Sequence, residues 1–179
     1  MNITVFGGSQ PKPEDAAYED AIRLGRLLGS NGHTILTGGY IGTMEAVSYG
    51  ASLEGAHIIG VTCDQIESFR PVKPNRWVVE ERRFKYLYQR IIALIEGCDA
   101  AIALPGGPGT LTEVSMMWNL LLTGAISPRP LILIGPGWEN TFNTFFNQLD
   151  GYIPDDQRRW LSFAPDIVAG YSLLSEFLA

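Results

Sequence analysis

Three glycine-rich segments carry most of the chemical information in this chain: Gly7-Gly8-Ser9, Thr37-Gly38-Gly39-Tyr40-Ile41-Gly42-Thr43 and Pro105-Gly106-Gly107-Pro108-Gly109-Thr110. Each follows a short apolar run and precedes a stretch with helical spacing. Glycine lets the backbone come close to an anion, and the unpaired N–H groups and dipole of the following helix favour negative charge, so such turns suit a phosphate. Strand-to-helix turns also need glycine for their own geometry, so no single turn decides the matter. The candidate binding residues are Gly8, Ser9, Gly38, Gly39, Gly42, Thr43, Gly106, Gly107, Gly109 and Thr110. The familiar nucleotide fingerprints are missing: the chain has no GxxxxGK[ST], and its first turn is not GxGxxG. The three lysines, Lys12, Lys73 and Lys85, lie away from the glycine-rich strand ends, which leaves no Schiff-base candidate. An NTPase, an NAD dehydrogenase and a pyridoxal enzyme are all disfavoured, and no cofactor is implied.

The elements that must position these turns read as alternating strands and helices. Strands are expected at 3–6, 34–37, 57–62, 100–104 and 130–135, and helices at 13–28, 44–54, 84–97, from near 109 to 123, at 138–149 and at 172–179. Residues 64–82 read as a long loop, whose length inside a compact domain points to a functional segment such as a lid, with a short strand at 77–79. The charged run Glu80-Glu81-Arg82-Arg83 reads as the solvated start of the next helix, its acids ahead of its bases. The segment between 149 and 172 gives no clear pattern. This rhythm predicts an α/β chain with a buried, mostly parallel, doubly wound sheet in a Rossmann-like three-layer fold. At 179 residues with 46% hydrophobic content, a single domain over 1–179 is the expectation.

Thirteen basic against nineteen acidic residues give a net charge of −6, which argues against nucleic acid polymers and anionic membranes as partners. Any bound phosphate is then small and held locally. No apolar run reaches bilayer-spanning length and Met1 to Val5 form no signal-peptide n-region, so a cytoplasmic protein is expected. Cys63 and Cys98 belong to no CxxC and read as core residues, and His33 and His57 read as structural, so no metal site is expected.

Pro105-Gly106-Gly107-Pro108-Gly109-Thr110-Leu111-Thr112-Glu113 matches PGGxGTxxE, and over roughly 3–135 the chain resembles the LOG family, whose members are often labelled putative lysine decarboxylases. The resemblance implies a Rossmann-like homodimer that hydrolyses the N-glycosidic bond of a nucleoside 5′-monophosphate, such as AMP or an N6-modified AMP. It also implies a catalytic pair. The family's arginine, fifteen residues before the motif's proline, falls on Arg90, and the motif's last glutamate is Glu113. The chain departs from the family pattern at Thr37 and Glu45, which replace the outer glycines of the second turn, at Ile91 after the arginine, and at Thr112.

The two residue types suit the reaction. A carboxylate stabilises an oxocarbenium-like sugar and orients or deprotonates the attacking water, while a guanidinium clamps substrate oxygens in a fork. Arg90 falls at the edge of the apolar stripe Leu87, Ile91, Leu94, Ile95 and Cys98, from which it can point along the end of the sheet. Two plainer readings compete. Thr110 to Glu113 spells a capping box, in which Glu113 only serves a helix N-terminus, and Arg90 could form a salt bridge with Glu80, Glu81 or Glu96. A rival for the whole chain is a non-catalytic carrier, because molybdenum-cofactor carrier proteins are similar in fold and share the TGG-type second turn. Apolar residues on 86–97 and 113–122, beyond what one buried stripe needs, are consistent with pairing of those helices in a homodimer.

Overall fold

The computed structural model describes residues 1–178. Strands β1 (Asn2–Phe6), β2 (Thr34–Thr37), β3 (Ile58–Cys63), β4 (Glu80–Phe84), β5 (Ala100–Ala103), β6 (Leu131–Ile134) and β7 (Ser162–Ala164) form one sheet in the order β4-β3-β2-β1-β5-β6-β7. Every pairing in it is parallel. Helices connect the strands: α1 (Ala16–Ser30), α2 (Thr43–Ser52), α3 (Asp64–Phe69), α4 (Leu87–Glu96), α5 (Pro108–Leu122), α6 (Pro136–Gln148), α7 (Asp155–Arg158) and α8 (Ile167–Leu178). A parallel neighbour can be reached only through a crossover, so helices cover both faces and β1, β2, β3, β5 and β6 are buried on both sides.

The period of two along each strand divides the core. Ile3 and Val5 of β1, with Ile102 of β5 and Ile132 and Ile134 of β6, pack under α1, α2 and α8. Phe6, Ala101, Ala103, Leu131 and Leu133 pack under α4, α5 and α6. Thr4 is the polar exception inside β1, and its hydroxyl donates to the Leu94 carbonyl at 2.7 Å. The result is the three-layer, doubly wound Rossmann-like fold. Because winding proceeds outward from β1 to β4 and then resumes on the other side at β5, the connections leaving β1 and β5 turn to opposite faces. A crevice opens between them at the carboxyl ends of the strands.

Two expectations fail around β4. Residues 64–82 are not all loop, since α3 occupies Asp64–Phe69, and the strand runs through Glu80–Phe84 rather than 77–79. The charged run is therefore an edge strand instead of a helix start. Only β3 flanks it, so its side chains pair in solvent: Glu80 with Arg82 at 2.7 Å and with His57 at 3.0 Å, and Arg83 with Asp64 and Glu67 at 2.7 and 2.8 Å. Charge on an edge strand also discourages pairing with another chain. Strand β7 lies in the segment that gave no pattern, and its three residues are too few to show a period. Cys63 and Cys98 are free and buried. Among the described residues no helix is long and apolar enough to cross a membrane.

Candidate active site

The turns after β1 and β5 meet across the crevice. The N–H of Gly8 donates to the Pro105 carbonyl at 3.2 Å, and a Cβ on Gly8 would lie 3.2 Å from that oxygen and 3.3 Å from Gly106 Cα. Two backbones this close would have to move apart by a few tenths of an ångström to admit a side chain. Gly106 is confined in the same way, because a Cβ there would overlap the Thr110 side chain. Together they floor a cleft of about 400 Å³ whose lining includes Gly8, Ser9, Gly106, Gly107, Gly109 and Thr110.

The second glycine turn stands behind this lining. Thr43 accounts for the Gly8 carbonyl, donating to it from its N–H at 2.9 Å and from its hydroxyl at 3.1 Å. Gly42, with φ of 73°, presses so close that a Cβ would sit 2.5 Å from the same oxygen. Gly39 packs against Gly60 of β3, and a side chain on Gly38 would overlap the Arg90 guanidinium. Of the predicted binding residues, then, Gly38, Gly39, Gly42 and Thr43 do not line the main cleft. They shape its wall, and Gly42 opens onto an adjoining cavity of about 230 Å³ shared with Glu45.

Arg90 and Glu113 come together at the inner end of the cleft. Arg90 lies in the first full turn of α4, and Gln89 beside it accepts the Tyr86 N–H that opens the helix. Its side chain is only 7% exposed, with Nε donating to the Val61 carbonyl at the end of β3 at 2.8 Å and Nη1 to Glu113 Oε1 at 3.3 Å. Glu80, Glu81 and Glu96 do not contact it, so the surface salt-bridge reading is set aside by the geometry. The capping reading of Glu113 goes with it: α5 begins at Pro108 with Gly107 as N-cap, which puts Thr110 and Glu113 inside the helix. Proline at the first helical position was the signal in the sequence that locates this start.

Glu113 is as buried as its partner, and its carboxyl is pushed up from 4.5 to about 6 because burial outweighs the stabilising charge of Arg90. Its Oε2 has no protein partner among the described residues. Gly109 and Thr110 lie in the first turn of α5, where backbone N–H groups have no intrahelical carbonyl to pair with, and both residues line the same cleft. The site thus joins a helix N-terminus to a carboxylate of raised pKa within one small cavity.

The model of the SLOG cluster4 family matches residues 1–120. The rice protein named cytokinin riboside 5′-monophosphate phosphoribohydrolase LOG (Oryza sativa subsp. japonica) is 34% identical over 169 residues, covering 91% of this chain and 68% of its own length. The chain belongs to the LOG family. Another LOG relative, Arabidopsis thaliana LOG3, is 30% identical over 168 residues, with 91% of this chain and 76% of the relative covered. Among solved structures, the molybdenum cofactor binding protein of Rippkaea orientalis superposes with a TM-score of 0.77 at 23% identity, covering 99% of this chain and 97% of that one, a likeness of fold.

In this LOG-family chain the cleft also contains residues that the sequence did not single out: Tyr40, Met44, Ile66 and Arg70. Tyr40 is fully buried, its hydroxyl accepting the Cys63 N–H at 2.8 Å and lying 3.2 Å from Glu67. Met44 places its sulfur 3.9 Å from Arg90 Nη2. The long segment after β3 was marked as functional by its length, but nothing local distinguished Arg70 within it.

Proposed function

We propose that this chain hydrolyses the N-glycosidic bond of a nucleoside 5′-monophosphate to free base and ribose 5-phosphate. The observation that carries the reading is the buried Arg90–Glu113 pair facing the same cleft as the α5 N-terminus. The names of the curated relatives, which describe phosphoribohydrolases acting on cytokinin riboside 5′-monophosphates, support it.

The 5′-phosphate rests on the N–H groups of Gly109 and Thr110, which sets the ribose toward Glu113. As the C1′–N bond breaks, its electron pair leaves with the base and positive charge develops on the sugar, where the ionised Glu113 carboxylate stabilises it. A water bound by the free Oε2 adds to C1′, and Glu113 accepts its proton for delivery to the departing base. Arg90 keeps the carboxylate ionised at neutral pH and offers its Nη groups to substrate oxygens. No metal or cofactor has a part in these steps.

The direct test is to incubate purified protein with AMP, its N6-modified forms and other nucleoside monophosphates and to look for free base by chromatography. Release of base supports the hydrolase. Tight binding without release would instead make the chain a carrier.

The proposal includes a homodimer. Most of the apolar surplus on α4 and α5, Met117, Trp118 and Leu121 included, is absorbed by the core of one chain. Tyr86, Leu87, Tyr88, Leu111 and Met116 remain exposed, and burial against a symmetry mate accounts for them.

A further inference from the structure

The cleft contains a second arginine with no part in the chemistry above. Arg70 follows α3 and lines the main cleft, and it also lines the adjoining cavity, so it stands on the wall between the two. The two arginines are in opposite electrical states. Arg90 is neutralised by Glu113, whereas Arg70 has no ion pair among the described residues. The nearby acids on α3, Asp64 and Glu67, are engaged by Arg83 on the other side of the helix.

The hydrogen bonds of Arg70 are equally incomplete. Its Nε is fully buried and donates to nothing among the described residues. Its protein partner is the Ser9 hydroxyl, 3.3 Å from Nη1. A buried donor is normally satisfied, and Nη2 of this cleft-lining side chain, which solvent can reach, makes no hydrogen bond among the described residues either, so the fork has donor capacity left for an acceptor in the cleft. Ser9 adjoins Gly8, which is bonded to the turn that feeds α5. The guanidinium is therefore held beside the helix end on which an anion would rest, in a chain whose net charge of −6 otherwise repels anions.

We propose that Arg70 is the second jaw of a phosphate clamp. The N–H groups of Gly109 and Thr110 take the phosphoryl oxygens from one side, and the Arg70 fork, aimed by Ser9, takes them from the other. A planar guanidinium matches two phosphoryl oxygens at once, which favours a phosphate over a carboxylate or a neutral hydroxyl. The inference rests on the reading that the cleft takes a nucleoside monophosphate, and it identifies the residue that makes the phosphate necessary for binding.

The experiment is titration calorimetry of ribose 5-phosphate and, separately, adenosine into wild type and Arg70→Met. Methionine keeps an apolar stem and removes the charge. Ribose 5-phosphate should bind the variant about 10- to 100-fold more weakly, the range for losing a hydrogen bond to a charged group, while adenosine binding changes less than about twofold and shows that the cleft is intact. Equal weakening of both ligands, no weakening of ribose 5-phosphate, or a wild type that does not bind ribose 5-phosphate overturns the clamp. The titration requires no turnover. If the wild type binds ribose 5-phosphate and loses it on substitution but frees no base from any nucleotide, the hydrolase reading fails and the clamp stands. If base is released while the variant keeps wild-type affinity, the reverse holds.

Discussion

Ionisation of Glu113 should set the acid limb of the pH–rate profile. With its midpoint at about 6, the carboxyl is about 9% ionised at pH 5 and about 91% at pH 7, so kcat/KM should rise about tenfold between them. An ordinary glutamate with a midpoint of 4.5 would give a rise of only about 1.3-fold over that interval. Glu113→Gln removes the limb and lowers turnover by about 10²-fold or more, since the amide keeps the shape without the charge that faces the sugar cation. Stability follows the same titration with a defined sign. The folded chain holds this proton to higher pH than the unfolded chain, so the contribution is full below about 4.5 and is lost as pH rises through about 6. A shift of about 1.5 units amounts to about 2 kcal/mol, and Glu113→Gln should melt without that component. The assays are base release and thermal melting between pH 4.5 and 8, wild type against variant. A profile flat from pH 5 to 7, or normal turnover in Glu113→Gln, would refute the assignment of the base.

Arg90→Ala removes the charge that restrains the Glu113 pKa, so it should weaken both KM and kcat and move the acid limb above 6, read from the same pH profiles. Gly38→Ala places a methyl group on the Arg90 guanidinium and should cut turnover at least about tenfold by displacing it, with an overpacking cost of about 1–3 kcal/mol visible in the melting temperature. Gly42→Ala combines a φ of 73° with a collision at Gly8 and should destabilise by a similar 1–3 kcal/mol or so, measured by urea denaturation. Light scattering at micromolar protein should report twice the chain mass of 19.7 kDa, and Met116→Lys with Tyr88→Glu should return it to the monomer value.

The sequence announced what is local. The turns after β1 and β5 declared themselves because glycine is needed at the points where two backbones touch, and Arg90 through the family resemblance, which sets it fifteen residues before the motif's proline, helical spacing then putting it at the edge of an apolar stripe. The place of the second turn was not legible in the same way: Gly38 and Gly39 are glycines on account of what stands behind them, and neither Arg90 nor Gly60 is near them in the chain. Strand β4 went unread for a related reason. Four consecutive charges look like a helix start until an edge position beside β3 supplies one neighbour and plentiful solvent. Arg70 was illegible because its significance lies in partners it does not have, and only the surrounding cavity displays that.

Arg90 is tied at three points: Nε to Val61 on the sheet, Nη1 to Glu113 on α5, and its far edge against Gly38 and Met44. A side chain so restrained has already lost its rotamer freedom when the protein folds, and a ligand entering the cleft need not immobilise it again. Recognition at the inner end of the site should accordingly be preorganised, with little conformational entropy spent on this arginine and little change in its position between empty and occupied protein. The adaptable part of the site lies at the other end, where Arg70 is held by a single long hydrogen bond to Ser9. Ligands of different length would then be accommodated by movement of Arg70, while the end held by Arg90 and Glu113 keeps one geometry.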